Sequence, residues 1–163
     1  MAKKEGIRKL FDNIAGDYDR LNHILSLNID KSWRRKAVKE IADTAEPLNI
    51  LDEACGTCDF TIEIAKAAPQ GSKVTGIDLS EGMLQIGREK CCKEGITAEL
   101  QTGDCEAMPY EDETFDRIGV AFGVRNFENL PKGLTEMHRV LKHQGKLVIL
   151  ELSIPSNPII RWC

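Results

Sequence analysis

The chain has 163 residues and a mass of 18.2 kDa, enough for one domain with a real core, and 26 acidic against 22 basic residues leave it at −4 with a pI near 5.5. An acidic chain with no basic stripe beyond its opening MAKKEGIRK is not a nucleic-acid surface. No apolar run reaches the roughly 18 residues of a membrane span and no signal peptide is visible, so a cytoplasmic protein is expected, and its six cysteines read as thiols.

Apolar positions recur at helical spacing over residues 6–13 and 17–27, then over 31–45 up to Pro47. At the start, Ile7, Leu10 and Phe11 alternate with Lys4, Arg8 and Lys9, the pattern of a solvated helix end that would also suit an anionic membrane surface. A first strand is expected near 48–54 and a helix over 59–68, stopped by Pro69 and Gly71. A second strand takes 73–78, and Ser80 is a good N-cap for a helix over 81–93 that Gly95 closes. Further strands are expected at 97–102, 115–121 and 146–152, with a helix at 131–141 before the last. Strand and helix alternate, which predicts an α/β fold: a three-layer, doubly wound, mostly parallel sheet. Residues 1–46 form an N-terminal helical lid or substrate segment, and 47–163 the cofactor-binding α/β domain.

The chemistry concentrates in ILDEACGTCD and the VTGIDLSEGM that follows one helix later. Each begins as a short apolar run ending at a carboxylate, so Asp52 and Asp78 would end neighbouring strands on one rim, where doubly wound sheets bind ligands. A dinucleotide site wants three glycines around a pyrophosphate, but only Gly56 is present and Phe60 stands where the last would fall. A cofactor with adenosine and no phosphate, such as S-adenosylmethionine, needs an acid for its ribose and one close backbone approach, and both are offered. The sharpest rival is a thiol-disulfide oxidoreductase using Cys55 and Cys58, a CxxC at a strand-to-helix turn. Its flanks, Ala54 and Asp59, are not those of a redox pair, and the acid-ended second strand would have no redox purpose. A metal site from Cys55, Cys58, Cys91 and Cys92 is weaker still, because adjacent cysteines on a helix point apart; no metal is expected.

Together these pieces resemble class I S-adenosylmethionine-dependent methyltransferases, and within them the ubiquinone/menaquinone biosynthesis C-methyltransferase family. The resemblance runs from Phe11 to Pro155 through FDNIAGDYDRLN, Ser26, Trp33 and Arg34, ILDEACGTCD, GIDLSEGML, GDCEAMPYEDETFD, FGVRN and EMHRVLKHQGKLVILELSIP. It implies that Gly56 and Thr57 line the methionine portion of the cofactor, that Asp78 binds the ribose hydroxyls, that Met83 covers the adenine, and that Asp104 and Cys105 read the adenine edge. Asp78 as a mere helix cap and Met83 as plain core are the bland alternatives. The implied substrate is a prenylated quinol, either a demethylmenaquinol or a 2-methoxy-6-polyprenyl-benzoquinol. A ring carbon becomes a good nucleophile when its neighbouring hydroxyl loses a proton, so a base or a cation is required. Arg125 is assigned to the oxyanion, Asn126 to the ring oxygen, and Tyr18, with Asn22 and His23 as lesser candidates, to the lid and proton transfer.

The sequence departs from the family where Cys58 replaces a turn glycine, where Cys55 replaces a small residue, and where HQG stands before the last strand. If Cys58 needs positive φ, the strain is of order 1 kcal/mol and weaker cofactor binding is expected. The family continues past SIPSNPIIRWC with a helix and two strands, so the chain is expected to be a fragment, its last strand an exposed edge that could pair copies and its Ile159, Ile160 and Trp162 uncovered. Such a piece could also bind the cofactor and perform no chemistry. Peripheral docking on a membrane, with the lid helices opening toward it, would bring a lipid quinol within reach.

Overall fold

The computed structural model describes residues 2–25 and 29–152, with side chains for all of these except 2, 3, 17 and 19–25; Ser26, Ile159, Ile160, Trp162 and the side chains of Asn22 and His23 fall outside it. Five helices and five strands follow in the order α1 (Ala2–Leu25), α2 (Ile29–Ile41), β1 (Asn49–Glu53), α3 (Asp59–Ala67), β2 (Lys73–Asp78), α4 (Glu81–Lys93), β3 (Glu99–Thr102), β4 (Phe115–Ala121), α5 (Leu130–Val140) and β5 (Leu141–Leu150). All neighbouring strands pair parallel in the order β3-β2-β1-β4-β5. The expected doubly wound α/β sheet is therefore present. Its order reverses beside β1, and the crevice between the carboxyl ends of β1 and β4 is where such sheets bind ligands.

Alternate residues of the central strands serve opposite faces. Ile50 packs with Ala37, Val38 and Ile41 of α2 and Phe60 and Ile64 of α3. Leu51 faces the other way, onto Met137 and Val140 of α5. Arg34, 7% exposed, sits among Asp30 at 2.8 Å, Asp59 at 3.3 Å and Glu63 at 3.4 Å and so ties α2 to α3. Ser80 caps α4 by accepting from the Met83 amide at 3.1 Å, and Gly95 takes φ +65° just past its end.

Three elements differ from expectation. The two first helices are one: Gly16 lies inside α1 and does not break it, because Asp12 fastens the helix to the start of α4, accepting from the Ser80 hydroxyl at 2.5 Å and the Gly82 amide at 3.1 Å. β5 begins at Leu141, directly after α5; its register jumps from Phe115↔Leu141 to Arg117↔Lys146, so residues 142–145 form a bulge with Gln144 at φ +68°. The loop after β4 contains a short 3-10 turn, Val124–Asn126. Among the described residues β5 is a sheet edge, with Ile149 44% exposed and Leu152, just past the strand, 62% exposed. No helix among them is long and apolar enough to cross a membrane.

Candidate active site

An open cleft with about 700 Å³ of empty space, its mouth included, lies at the carboxyl ends of the strands under α1. Asp78, the last residue of β2, is its polar centre. One carboxylate oxygen accepts the Gly56 amide and the other the Ser80 amide, both at 2.8 Å. Burial pushes the Asp78 pKa up, while the amides of Ser80, Gly56 and Leu79 work against that rise. The two oxygens take these backbone donors and keep lone-pair capacity toward the cleft, which suits a vicinal diol. The bland reading, a cap for α4, is also partly true, since the Ser80 amide is held.

Gly56 has φ +54° and nothing lies within 4 Å of where a Cβ would stand, so its backbone borders open space. Cys58 is left-handed at φ +67°, the strain expected of a non-glycine there, yet its side chain does not enter the cleft. The thiol is fully buried and occupies the space that a Cβ on Gly87 of α4 would need; Cys55 sulfur lies 2.9 Å from the corresponding position on Gly76. Two glycines outside the turn thus accommodate the two cysteines within it. Thr57 is buried, with its hydroxyl 3.5 Å from the Lys90 ammonium, and does not line the cleft. Asp52 is likewise turned away from the rim: it is 1% exposed, accepts from the Thr61 hydroxyl at 2.5 Å, and is pushed up to about 7 by burial.

The far end of the cleft is built by the loop after β3. Asp104 and Cys105 both line it, together with Met83, which is 2% exposed. One Asp104 oxygen accepts the Glu106 amide at 2.9 Å, and the other meets the Lys4 ammonium of α1 at 2.8 Å. Lys4 also pairs with Glu106 at 2.9 Å. Burial opposes the charge on Glu106, but the Asn129 and Glu128 amides and Lys4 prevail and its pKa falls below the usual range. Glu106 therefore joins the β3 loop, α1 and the approach to α5.

On the β4 side the cleft is lined by Phe122, Gly123, Asn126 and Phe127, and α1 adds Ile7, Phe11 and Tyr18. Phe11 and Tyr18 meet edge to face at 5.8 Å. Arg125 is not among the lining residues. Its guanidinium binds Glu151 at 2.5 Å and lies over the Phe122 ring, 6.0 Å from its centre. The structure thus gathers Gly56, Asp78, Met83, Asp104, Cys105, Asn126 and Tyr18 around one cleft, and leaves Thr57 and Arg125 outside it. Sequence reasoning missed Lys4, Glu106, Phe122 and Phe127; of these, Phe122 as the first residue of FGVRN and Glu106 within GDCEAMPYEDETFD lay in motifs of the resemblance.

The thiol-disulfide alternative fares poorly in this geometry. Cys55 and Cys58 are 8% and 0% exposed, and hydrogen bonding to Cys58 together with burial raises the Cys55 pKa, whereas a redox pair needs an accessible, low-pKa thiol. Among the described residues, no group of three or more His, Cys, Asp or Glu is arranged to hold a metal ion.

Comparison with known proteins agrees with the cleft. The chain is 51% identical over 157 residues to the demethylmenaquinone methyltransferase of Bacteroides fragilis, covering 95% of this chain and 63% of that protein. It is 46% identical over 161 residues to the ubiquinone/menaquinone biosynthesis C-methyltransferase UbiE of Geotalea uraniireducens, covering 98% of this chain and 68% of that one. The chain thus spans less than two thirds of the length of its Bacteroides relative. Among solved structures, a putative methyltransferase of Bacillus halodurans superposes with a TM-score of 0.69 at 28% identity, over 77% of this chain and 54% of that one. A putative S-adenosyl-L-methionine-dependent methyltransferase of Methanococcus maripaludis, at 21% identity and TM-score 0.68 over 90% and 62% of the two chains, shares the fold. With residues 1–163 matched throughout, the chain belongs to the ubiE/COQ5 methyltransferase family.

Proposed function

We propose that this chain carries the cofactor site and acceptor rim of an S-adenosylmethionine-dependent C-methyltransferase acting on a prenylated quinol, either a demethylmenaquinol or a 2-methoxy-6-polyprenyl-benzoquinol. The observation that carries the reading is the Asp78 carboxylate, held by the Gly56 and Ser80 amides beside open space at a single-glycine turn. Such a cradle fits a ribose diol next to a close backbone approach, and the turn lacks two of the three glycines of a pyrophosphate site. When bound, S-adenosylmethionine supplies an electrophilic methyl on a sulfonium. Asp78 holds the ribose, Met83 covers the adenine, and Asp104 and Cys105 read its edge. Asn126 orients the quinol oxygen from the β4 side, and Tyr18 closes the cleft from α1; positioning of this kind supplies much of the rate. Arg125 acts on the acceptor by fixing the loop, because its guanidinium is committed to Glu151.

The test is transfer of a labelled methyl from the cofactor to a ring carbon of each quinol. Label in either quinol supports the reading. Cofactor binding with no label in any quinol overturns it in favour of a binding protein, and reduction of insulin disulfides would revive the redox alternative. Peripheral docking on a bilayer is part of the proposal, supported by Leu10, 55% exposed on α1 beside the cleft-lining Ile7 and Phe11. Co-flotation with liposomes is expected, and failure to float with or without cofactor counts against docking.

The Lys4 pair gives a further prediction. Its ammonium sits on the carboxylate proposed to accept from the adenine amine, so α1 and the cofactor compete for Asp104. With both partners partly exposed the pair is worth about 1 kcal/mol or less, so Lys4→Ala should tighten cofactor binding up to about fivefold at low salt, with the gain shrinking at high salt. Calorimetry at two ionic strengths checks it; weaker binding by the variant would show Lys4 to be a ligand instead.

A further inference from the structure

We propose that Phe122 is the platform on which the flat ring of the methyl acceptor stacks, and that Trp33, Arg125 and Glu151 hold that platform; the proposal rests on the methyltransferase reading above. Phe122 follows the last residue of β4 and has φ +58°, a left-handed backbone that is costly for a bulky L-residue. Such a conformation persists where its surroundings overdetermine it, and such residues cluster at functional sites. The surroundings are on hand. The Phe122 amide donates to the Leu150 carbonyl at 2.7 Å, pinning the backbone to β5. The ring meets the Trp33 indole at 6.4 Å with a 51° tilt, and the Arg125 guanidinium lies 6.0 Å from its centre. Arg125 is in turn held by Glu151 through its side chain at 2.5 Å and its amide at 3.3 Å.

The place of the ring decides what it can bind. Phe122 lines the cleft next to Gly123 and Ala54, whose residues close the crevice between β4 and β1: a Cβ on Gly123 would lie 2.7 Å from that of Ala54. Ala54 stands two residues before Gly56, the turn proposed for the methionine portion and so for the sulfonium. An acceptor carbon must stand in line behind the methyl, so its ring must lie near this wall. A flat, electron-rich ring finds there an aromatic face of matching shape, with Asn126 on the same loop to take its oxygen.

The experiment uses two variants of the protein. Phe122→Leu removes the aromatic face at similar bulk, and Phe122→Gly removes the ring while relieving the positive φ, so a folding defect does not mask the result. Both should raise the KM for quinol about tenfold or more while cofactor affinity stays within about twofold of the wild type. A second readout needs no turnover. Of the two tryptophans, Trp162 is replaced by Phe so that Trp33 reports alone, and 2-methyl-1,4-naphthoquinone is titrated in. Quenching of Trp33 is expected with Phe122 present, and its midpoint should rise similarly in both variants. An unchanged quinol KM in both, or quinol and cofactor affinities falling together, overturns the platform. Wild-type protein that methylates no quinol brings down the function, while quenching with and without Phe122 still decides whether the ring site exists.

Discussion

Replacing Asp78 by Asn is expected to weaken S-adenosylmethionine binding on the order of 100-fold, because two hydrogen bonds from the ribose to a charged acceptor are lost or reduced, together worth about 3 kcal/mol. The substitution keeps shape and leaves an amide oxygen for only one of the two backbone donors now satisfied, Gly56 or Ser80. Calorimetry on Asp78→Asn, with a thermal melt to show that the fold survives, measures it. A variant that binds as the wild type does would reduce Asp78 to a cap for α4. The charge also gives a direction for pH. Burial raises the Asp78 pKa, so cofactor affinity should be full above that raised value and fall as acidification protonates the carboxyl.

Replacing Glu53 by Met is expected to stabilise the protein by about 3 kcal/mol at pH 7. Glu53 ends β1 with its side chain on the α5 face, fully buried, and among the described residues neither carboxyl oxygen has a hydrogen-bond partner. Burial pushes it up to about 9, opposed by the nearby Cys105 thiol and reinforced by the charges of Asp52 and Glu136. In the folded protein it is therefore a neutral acid at pH 7, whereas in the unfolded chain it ionises above about 4.5. The unfolded state binds fewer protons across that window, so the contribution of Glu53 to stability is most favourable below about 4.5 and declines by about 1.4 kcal/mol per pH unit until the folded group ionises near 9. Met, of similar length and apolar, removes this slope. Denaturant titrations of both proteins from pH 5 to pH 9 should show a gap that widens with pH; parallel curves would mean that the carboxyl is charged and paired.

Much of the architecture was legible because local chemistry and global placement agree. The bounds of β2, α4 and β4 match expectation residue for residue, helped by a serine cap, a glycine stop and carboxylates that end apolar runs. The helical spacing over 6–13 and 17–27 belongs to one helix because the Gly16 between them costs only about 1 kcal/mol, which contacts distant in sequence offset through Asp12. The start of β5 was hidden by its bulge, since HQG looks like a turn when the pairing of Leu141 with Phe115 is unseen. In the site, the acids and the glycine turn were readable from type and spacing, but direction was not: Asp52, Thr57 and Arg125 lie in the right motifs and face elsewhere. Lys4 and Glu53 were invisible for the same reason, since one acts on a carboxylate a hundred residues away and the other matters because, among the described residues, no cation sits beside its buried carboxyl.

The strand order also dictates a sequence of assembly. Asn49 finds Lys73 across the α3 crossover, whereas Ile50 pairs with Arg117 across a much longer stretch of chain. Closing the longer loop costs more entropy, and distant pairings form slowly. The unit of β1, α3 and β2, with its cradle for the nucleoside, can thus condense first, and the wall that greets the acceptor is laid against it afterwards. If the proposed sites hold, a nascent chain would acquire its grip on the methyl donor before it has anywhere to deliver the methyl.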